Sequence, residues 1–167
     1  MSLSKGLSET DSPFAKGEAM RYLDKNWFMK SQEYPPDGNI DNALKALRAA
    51  EDKDGIPAEL RRDLCFHDVK VISEEIVQSG AEPVFSGKDY ILKLNCLSGH
   101  STVIFRDAIV RAERSPAGAE WLYEEIYRHK SGKGYEIHIL LSLCRNNRLS
   151  ASDLIDMKII CCDITFW

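Results

Sequence analysis

The sequence predicts an α+β fold, with about three N-terminal helices packed on one mostly antiparallel, curved sheet of about six strands. Three observations carry this. The apolar period changes from helical to strand-like at Cys65, and the chain beyond that residue reads as strand and turn. Trp121 to Leu143 reads as two strands joined by Lys130-Ser131-Gly132-Lys133-Gly134, a hairpin by length and composition. The remaining strands succeed one another through short turns, and parallel pairing would need long crossovers instead. The 167 residues favour one domain, large enough to bury roughly 70% of its unfolded surface.

Residues 1–11 are Ser-rich and lack an apolar core segment, so they are expected to be disordered and not a signal peptide. The single domain is expected over 12–167, with helices in 12–64 and sheet in 66–167. Ser12-Pro13 reads as a helix start, with Met20, Leu23 and Trp27 at helical spacing, and Pro35-Pro36-Asp37-Gly38 ends that element. A second helix is expected from Ile40 to Ala50, capped by Asn39, with Ala43, Leu44 and Leu47 on one face. Glu51-Asp52-Lys53-Asp54-Gly55 reads as a solvated turn. Pro57 opens a short third helix with Leu60 and Leu64 on one stripe.

The first strand, Phe66 to Val77, carries Val69 and Val71 on one side but Ile72 and Ile76 on the other, which predicts a bulge or a bend. Tyr90, Leu92, Leu94 and Cys96 alternate as the next strand, and Thr102 to Ala112 comes after the Ser98-Gly99-His100 turn. In the hairpin, a symmetric loop sets Tyr127 opposite Ile137, Tyr123 opposite Leu141, Trp121 opposite Leu143 and Arg128 opposite Glu136. The last strand, Ile155 to Trp167, is apolar on both faces for part of its length and is expected in a covered position.

Charged residues make up 29% and hydrophobic ones 44%, with a net charge of −4. These are ordinary values for a soluble globular chain, and the acidic balance leaves no electrostatic footprint for nucleic acid. No apolar run reaches the roughly 20 residues of a membrane span. Cysteines 65, 96, 144, 161 and 162 form no CxxC pair. They are read as buried thiols in a reducing compartment, hence a cytoplasmic protein with no disulfide framework.

No dinucleotide, zinc-protease or hydrolase signature is present, and Ser131-Gly132-Lys133-Gly134 lacks the spacing and following helix of a phosphate loop. No catalytic residue, cofactor or metal is assigned, and three residues stand as candidates. His67, beside Asp68, is a catalytic or metal-binding histidine or, the favoured reading, a residue closing a turn. His138 with Glu136 and Glu124 offers an imidazole and two carboxylates to a metal, if all three share the hairpin's polar face. A solvent-facing strand surface explains them as well. Glu125 interrupts the aromatic row of Tyr123 and Tyr127, as an acid or base with a raised pKa or as a paired rim residue.

Five segments together carry a resemblance. They are Arg21-Tyr22-Leu23 with Trp27, Leu64-Cys65-Phe66-His67-Asp68-Val69-Lys70-Val71, Trp121-Leu122-Tyr123-Glu124-Glu125, Gly134-Tyr135-Glu136-Ile137-His138, and Lys158-Ile159-Ile160-Cys161-Cys162-Asp163-Ile164. They resemble an uncharacterised, mainly Gram-positive bacterial family of unknown function. That family has an N-terminal helical part, an L-H-D-like motif opening the first strand and a C-terminal antiparallel sheet. Phe66 stands where the family's pattern calls for Leu. The resemblance implies the fold and no activity, and the strand opening is similar to that of small bacterial immunity proteins, which bind and neutralise a toxin.

The function expected is therefore a protein-binding module of immunity or accessory type, meeting a basic protein through an acidic surface. Glu51 to Asp54, Glu74-Glu75 and Glu124-Glu125 are the acidic clusters, and one residue of each strand pair is expected to face outward. The alternative is a small-ligand-binding protein or enzyme with a pocket between helices and sheet. The sequence assigns no oligomeric state.

Overall fold

The computed structural model describes residues 20–33, 40–143 and 149–167. The expected disorder of residues 1–11, the Ser12-Pro13 helix start, the Asn39 cap and Cys144 fall outside them. Three helices precede the sheet: α1 (Lys25–Ser31), α2 (Ile40–Lys53) and α3 (Ala58–Asp63).

Helix α1 starts later than the spacing of Met20, Leu23 and Trp27 predicts. The Asp24 side chain accepts the Trp27 N–H at 2.7 Å and caps the helix, supplying an acceptor to an otherwise orphan donor. Met20 and Leu23 are buried, but in a bent segment before it. Helix α2 runs on through Glu51, Asp52 and Lys53, where the sequence predicts a solvated turn. Glu51 is only 1% exposed. Arg48, 2.8 Å away on the same helix, and Arg61 of α3, 3.7 Å away, neutralise it. The chain turns instead at Asp54 and Gly55, the glycine at φ +64°.

The strands are β1 (Val69–Gln78), β2 (Lys88–Leu94), β3 (Thr102–Arg106), β4 (Ile109–Ala112), β5 (Glu120–Arg128), β6 (Tyr135–Ser142), β7 (Leu154–Cys161) and β8 (Asp163–Phe166). A 3-10 turn at Ala151–Asp153 precedes β7. All pairs are antiparallel, in the order β4-β7-β6-β5-β1-β2-β3-β8. The protein is α+β with an antiparallel sheet, as the sequence predicts.

Eight strands appear in place of the expected six or so because two expected strands are each bent in the middle. Asp107, at φ 49°, separates β3 from β4, and Cys162 separates β7 from β8. The register passes through both bends unchanged, from Arg106 opposite Asp163 to Ile109 opposite Ile160. The sheet's two ends, β4 and β8, thus continue β3 and β7, and the sheet curls around a single interior. Val71, Tyr90, Leu92, Phe105, Trp121 and Ile137 are among the residues that fill it, with Ile56, Leu64 and Phe66 of the helix connections. β7 is covered as expected; β8 ends the sheet.

A second apolar layer lies on the other face of β5 and β6. Leu23, Phe28 and Leu47 from the helical part pack there on Leu122, Leu140 and Leu154, and Trp27 meets Tyr123 edge-on at 5.1 Å between ring centres. The hairpin is therefore buried on both faces. Its register is one residue from the symmetric expectation: Arg128 faces Tyr135, Tyr127 faces Glu136 and Tyr123 faces Leu140. A bulge between Trp121 and Tyr123 then sets Trp121 opposite Leu141, turning Trp121 into the curled core while Tyr123 faces the helices. At the end of this hairpin Gly134, at φ +67°, lies so close to the β7–β8 bend that a Cβ would fall 2.0 Å from the Cys161 carbonyl oxygen. The predicted bulge in β1 is present, between Val71 and Ser73.

Of the described cysteines only Cys161 is fully buried; Cys65 is exposed and Cys96 and Cys162 are half-buried, all four as free thiols. This corrects the expectation of uniformly buried thiols. Among the described residues no helix is long and apolar enough to cross a membrane.

Candidate functional site

Glu125 is fully buried, on the face of β5 that meets the helical part. Its carboxylate accepts the backbone N–H groups of Arg21, Tyr22 and Leu23 at 2.8, 2.8 and 2.6 Å, and the Tyr127 hydroxyl donates to it at 2.5 Å. Four donors satisfy the charge where water does not reach. The Arg21 guanidinium lies 4.4 Å from the Tyr127 ring centre above the same site. Glu125 is thus a clamp for the segment leading into α1, with its acceptor sites engaged.

His138 faces Glu125 across the hairpin. Its Nε2 is 2.8 Å from Glu136, which also accepts from Lys158 at 2.9 Å. A carboxylate only accepts, so Nε2 carries the hydrogen. The His138 hydrogen bond lowers the Glu136 carboxyl most; burial works against it, and Lys158 helps hold it at about 2. Glu124, expected beside these two, lies opposite Ile139 on the other face of the sheet. The one-residue register difference separates the three, and among the described residues no group of three His, Cys, Asp or Glu side chains could hold a metal ion.

His67 closes the connection into β1. Its Nδ1 lies 2.7 Å from the Leu122 carbonyl oxygen, at the β5 bulge, so Nδ1 donates there. Asp68, at φ 62°, donates its backbone N–H to the Trp121 carbonyl at 2.8 Å. Both residues tie the chain to the bulge, and the Tyr123 ring lies 5.1 Å from the imidazole.

One carboxylate, Asp107, escaped sequence reasoning, and a second, Glu124, was read for a different setting. Asp107, 3% exposed, accepts the backbone N–H groups of Val84, Phe85, Ser86 and Gly87 at 2.6 to 2.8 Å. Burial pushes its carboxyl up, but these four donors outweigh that and hold it at about 2. The Arg106-Asp107 pair between the apolar pairs Ile104-Phe105 and Ile109-Val110 was the available signal. Glu124 behaves in the opposite way: burial raises its carboxyl to about 7, against the Trp121 indole N–H that donates to it at 2.9 Å and the Arg48 charge.

The acidic surface is smaller than the sequence suggests. Glu51 is buried among arginines, Asp52 pairs with Arg61 at 2.8 Å, Glu125 is buried, and Glu124 is half-buried on a strand covered on both faces. Glu74, Glu75 and Glu82 remain exposed, all on the β1–β2 hairpin, as do Asp52 and Asp54 at the end of α2. That hairpin also carries Ile72, Ile76 and Val84 at 58%, 62% and 48% exposure, three of the five exposed large hydrophobics among the described residues.

Fold and site together define a small α+β protein with a curled antiparallel sheet, internally hydrogen-bonded polar clusters and an acidic, apolar hairpin open to solvent. No protein-family model, curated protein or solved structure matches this chain.

Proposed function

We propose that the chain is a protein-binding module of immunity or accessory type that meets a basic protein through the β1–β2 hairpin. The observation that carries this reading is the coincidence on one element of exposed Ile72, Ile76 and Val84 with exposed Glu74, Glu75 and Glu82. Exposed apolar side chains clustered among charges are the composition of a docking surface. The likeness of Leu64 to Val71 to the opening strand of immunity proteins supports the same class. Membership of the uncharacterised Gram-positive family belongs to this proposal, and so does a cytoplasmic location, which the four free thiols support.

The test uses the tagged full-length chain as bait beside a variant carrying Ile72→Ser, Ile76→Ser and Glu75→Lys. The wild type should retain a basic protein that is released as salt rises, and the variant should not, at unchanged circular dichroism and Tm. A partner held equally by the variant, and indifferent to salt, would remove the hairpin from the function.

The alternative, a small-ligand-binding protein or enzyme, draws its support from Glu124, a carboxyl near neutrality beside a donating indole, which is the kind of group acid–base chemistry uses. Glu125 and His138 lend it less, since each is engaged by internal partners.

A further inference from the structure

The β1–β2 hairpin exposes backbone as well as side chains. β1 pairs with β5 only at Val69 and Lys70. Beyond those, the Val71 N–H donates to Ala119 and the Val71 carbonyl accepts from Gly118, both at 2.8 Å. The bulge at Val71 to Ser73 then lifts the strand away from that neighbour. From Ser73 to Gln78, β1 pairs with β2 on one side, and among the described residues no backbone hydrogen bond is made on its other side. A row of unpaired N–H and C=O groups on an extended strand is a template for one more strand.

We propose that the Ser73–Gln78 edge of β1 receives an extended basic peptide segment of the partner as an added strand. The inference rests on the protein-binding reading and specifies its mode and the partner's chemistry. Charge selects the occupant. Glu74 and Glu75 are exposed, face opposite sides of the strand, and make no ion pair among the described residues. The neutral Tyr90 and Ser115 hydroxyls donate to Glu74 at 2.7 and 2.6 Å and bring no positive charge to it. A second copy of this edge, paired antiparallel, would bring these glutamates against their own kind, which is destabilising. Ile76 and Val77 come next along the strand. The complementary segment therefore carries two consecutive basic residues opposite Glu74 and Glu75, and two apolar ones opposite Ile76 and Val77, one of each kind on either face.

The probe is a synthetic blocked peptide, Thr-Val-Ile-Lys-Lys-Thr, added to the full-length chain. Amide hydrogen exchange is read by NMR, beside a Glu-for-Lys control peptide and a peptide of the parent sequence N-methylated on alternate backbone nitrogens. Backbone amides of alternate residues in 73–78 should exchange quickly in the free chain and become protected with the parent peptide. The Glu-bearing control should leave them unprotected, Glu75→Lys should weaken binding, and N-methylation should weaken it about tenfold or more. Equal binding by the N-methylated peptide would overturn strand addition while leaving side-chain docking on the hairpin intact. Absence of binding, or equal binding by the acidic control, would overturn the basic-segment proposal. Protection already present in the free chain would mean that residues of its own occupy the edge, and protection that grows with protein concentration would mean a second copy does. Either result would overturn it.

Discussion

Glu124 and Glu125 are adjacent, identical in type and opposite in circumstance. Strand geometry sends them to different faces; Glu125 meets four donors, while Glu124 meets one indole N–H in a site where burial dominates. The consequence for stability has a definite sign. The folded-state carboxyl of Glu124, at about 7, lies above that of an unfolded chain, so the native state holds the extra proton between roughly pH 4.5 and 7 and stability falls as pH rises through that window. Glu124→Gln should remove this dependence and stabilise the protein at pH 8 by roughly 2–3 kcal/mol. Urea denaturation of both proteins at pH 5 and pH 8 measures it; an equal difference between them at both pH values would contradict the assignment.

At the scale of elements, the bends and bulges decide what each strand can do. Gly134 passes the Cys161 carbonyl at the end of the hairpin, a contact that leaves no space for a side chain and a φ that L-residues adopt rarely. Gly134→Ala should cost more than the roughly 1 kcal/mol of an ordinary unfavourable Gly→Ala change, because backbone must shift as well. Thermal unfolding would register it as a lowered Tm, whereas Gly132→Ala, at φ +75° with nothing within 4 Å of the added carbon, should be milder. Equal losses at the two positions would mean the close approach does not set the cost.

For the whole molecule, the carboxylates shifted by the fold act in two opposed pH ranges. Asp107 and Glu136 sit at about 2 in the fold, so their stabilisation is complete above roughly pH 4.5 and is lost as the pH falls toward 2. Glu124 loses stability in the other direction, above about pH 4.5. Stability should therefore peak at roughly pH 4 to 6, on the acid side of neutrality. Asp107→Asn should flatten the acid limb, since it keeps the shape of the clamp on Val84 to Gly87 without the charge. A pH series of Tm values for the two proteins tests this, and parallel acid limbs would show that Asp107 does not govern the fall.

The sequence by itself determined the α+β class, the helical-to-strand switch near Cys65, the antiparallel connections and the bulge in β1. These rest on periodicity and turn chemistry, which are local and readable along the chain. It also singled out Glu125, His138 and His67 as candidates. Tertiary structure decided what those residues do, because their partners lie far away in sequence: the Glu125 carboxylate closes on the backbone of Arg21 to Leu23, and His67 reaches the Leu122 carbonyl. It also decided which acids face water. Pattern reasoning assigns one outward face to each strand, but β5 is covered on both, by the curled core and by the helices. On the β1–β2 hairpin, where β5 ceases to accompany β1, glutamates, isoleucines and a backbone edge are left open to solvent together.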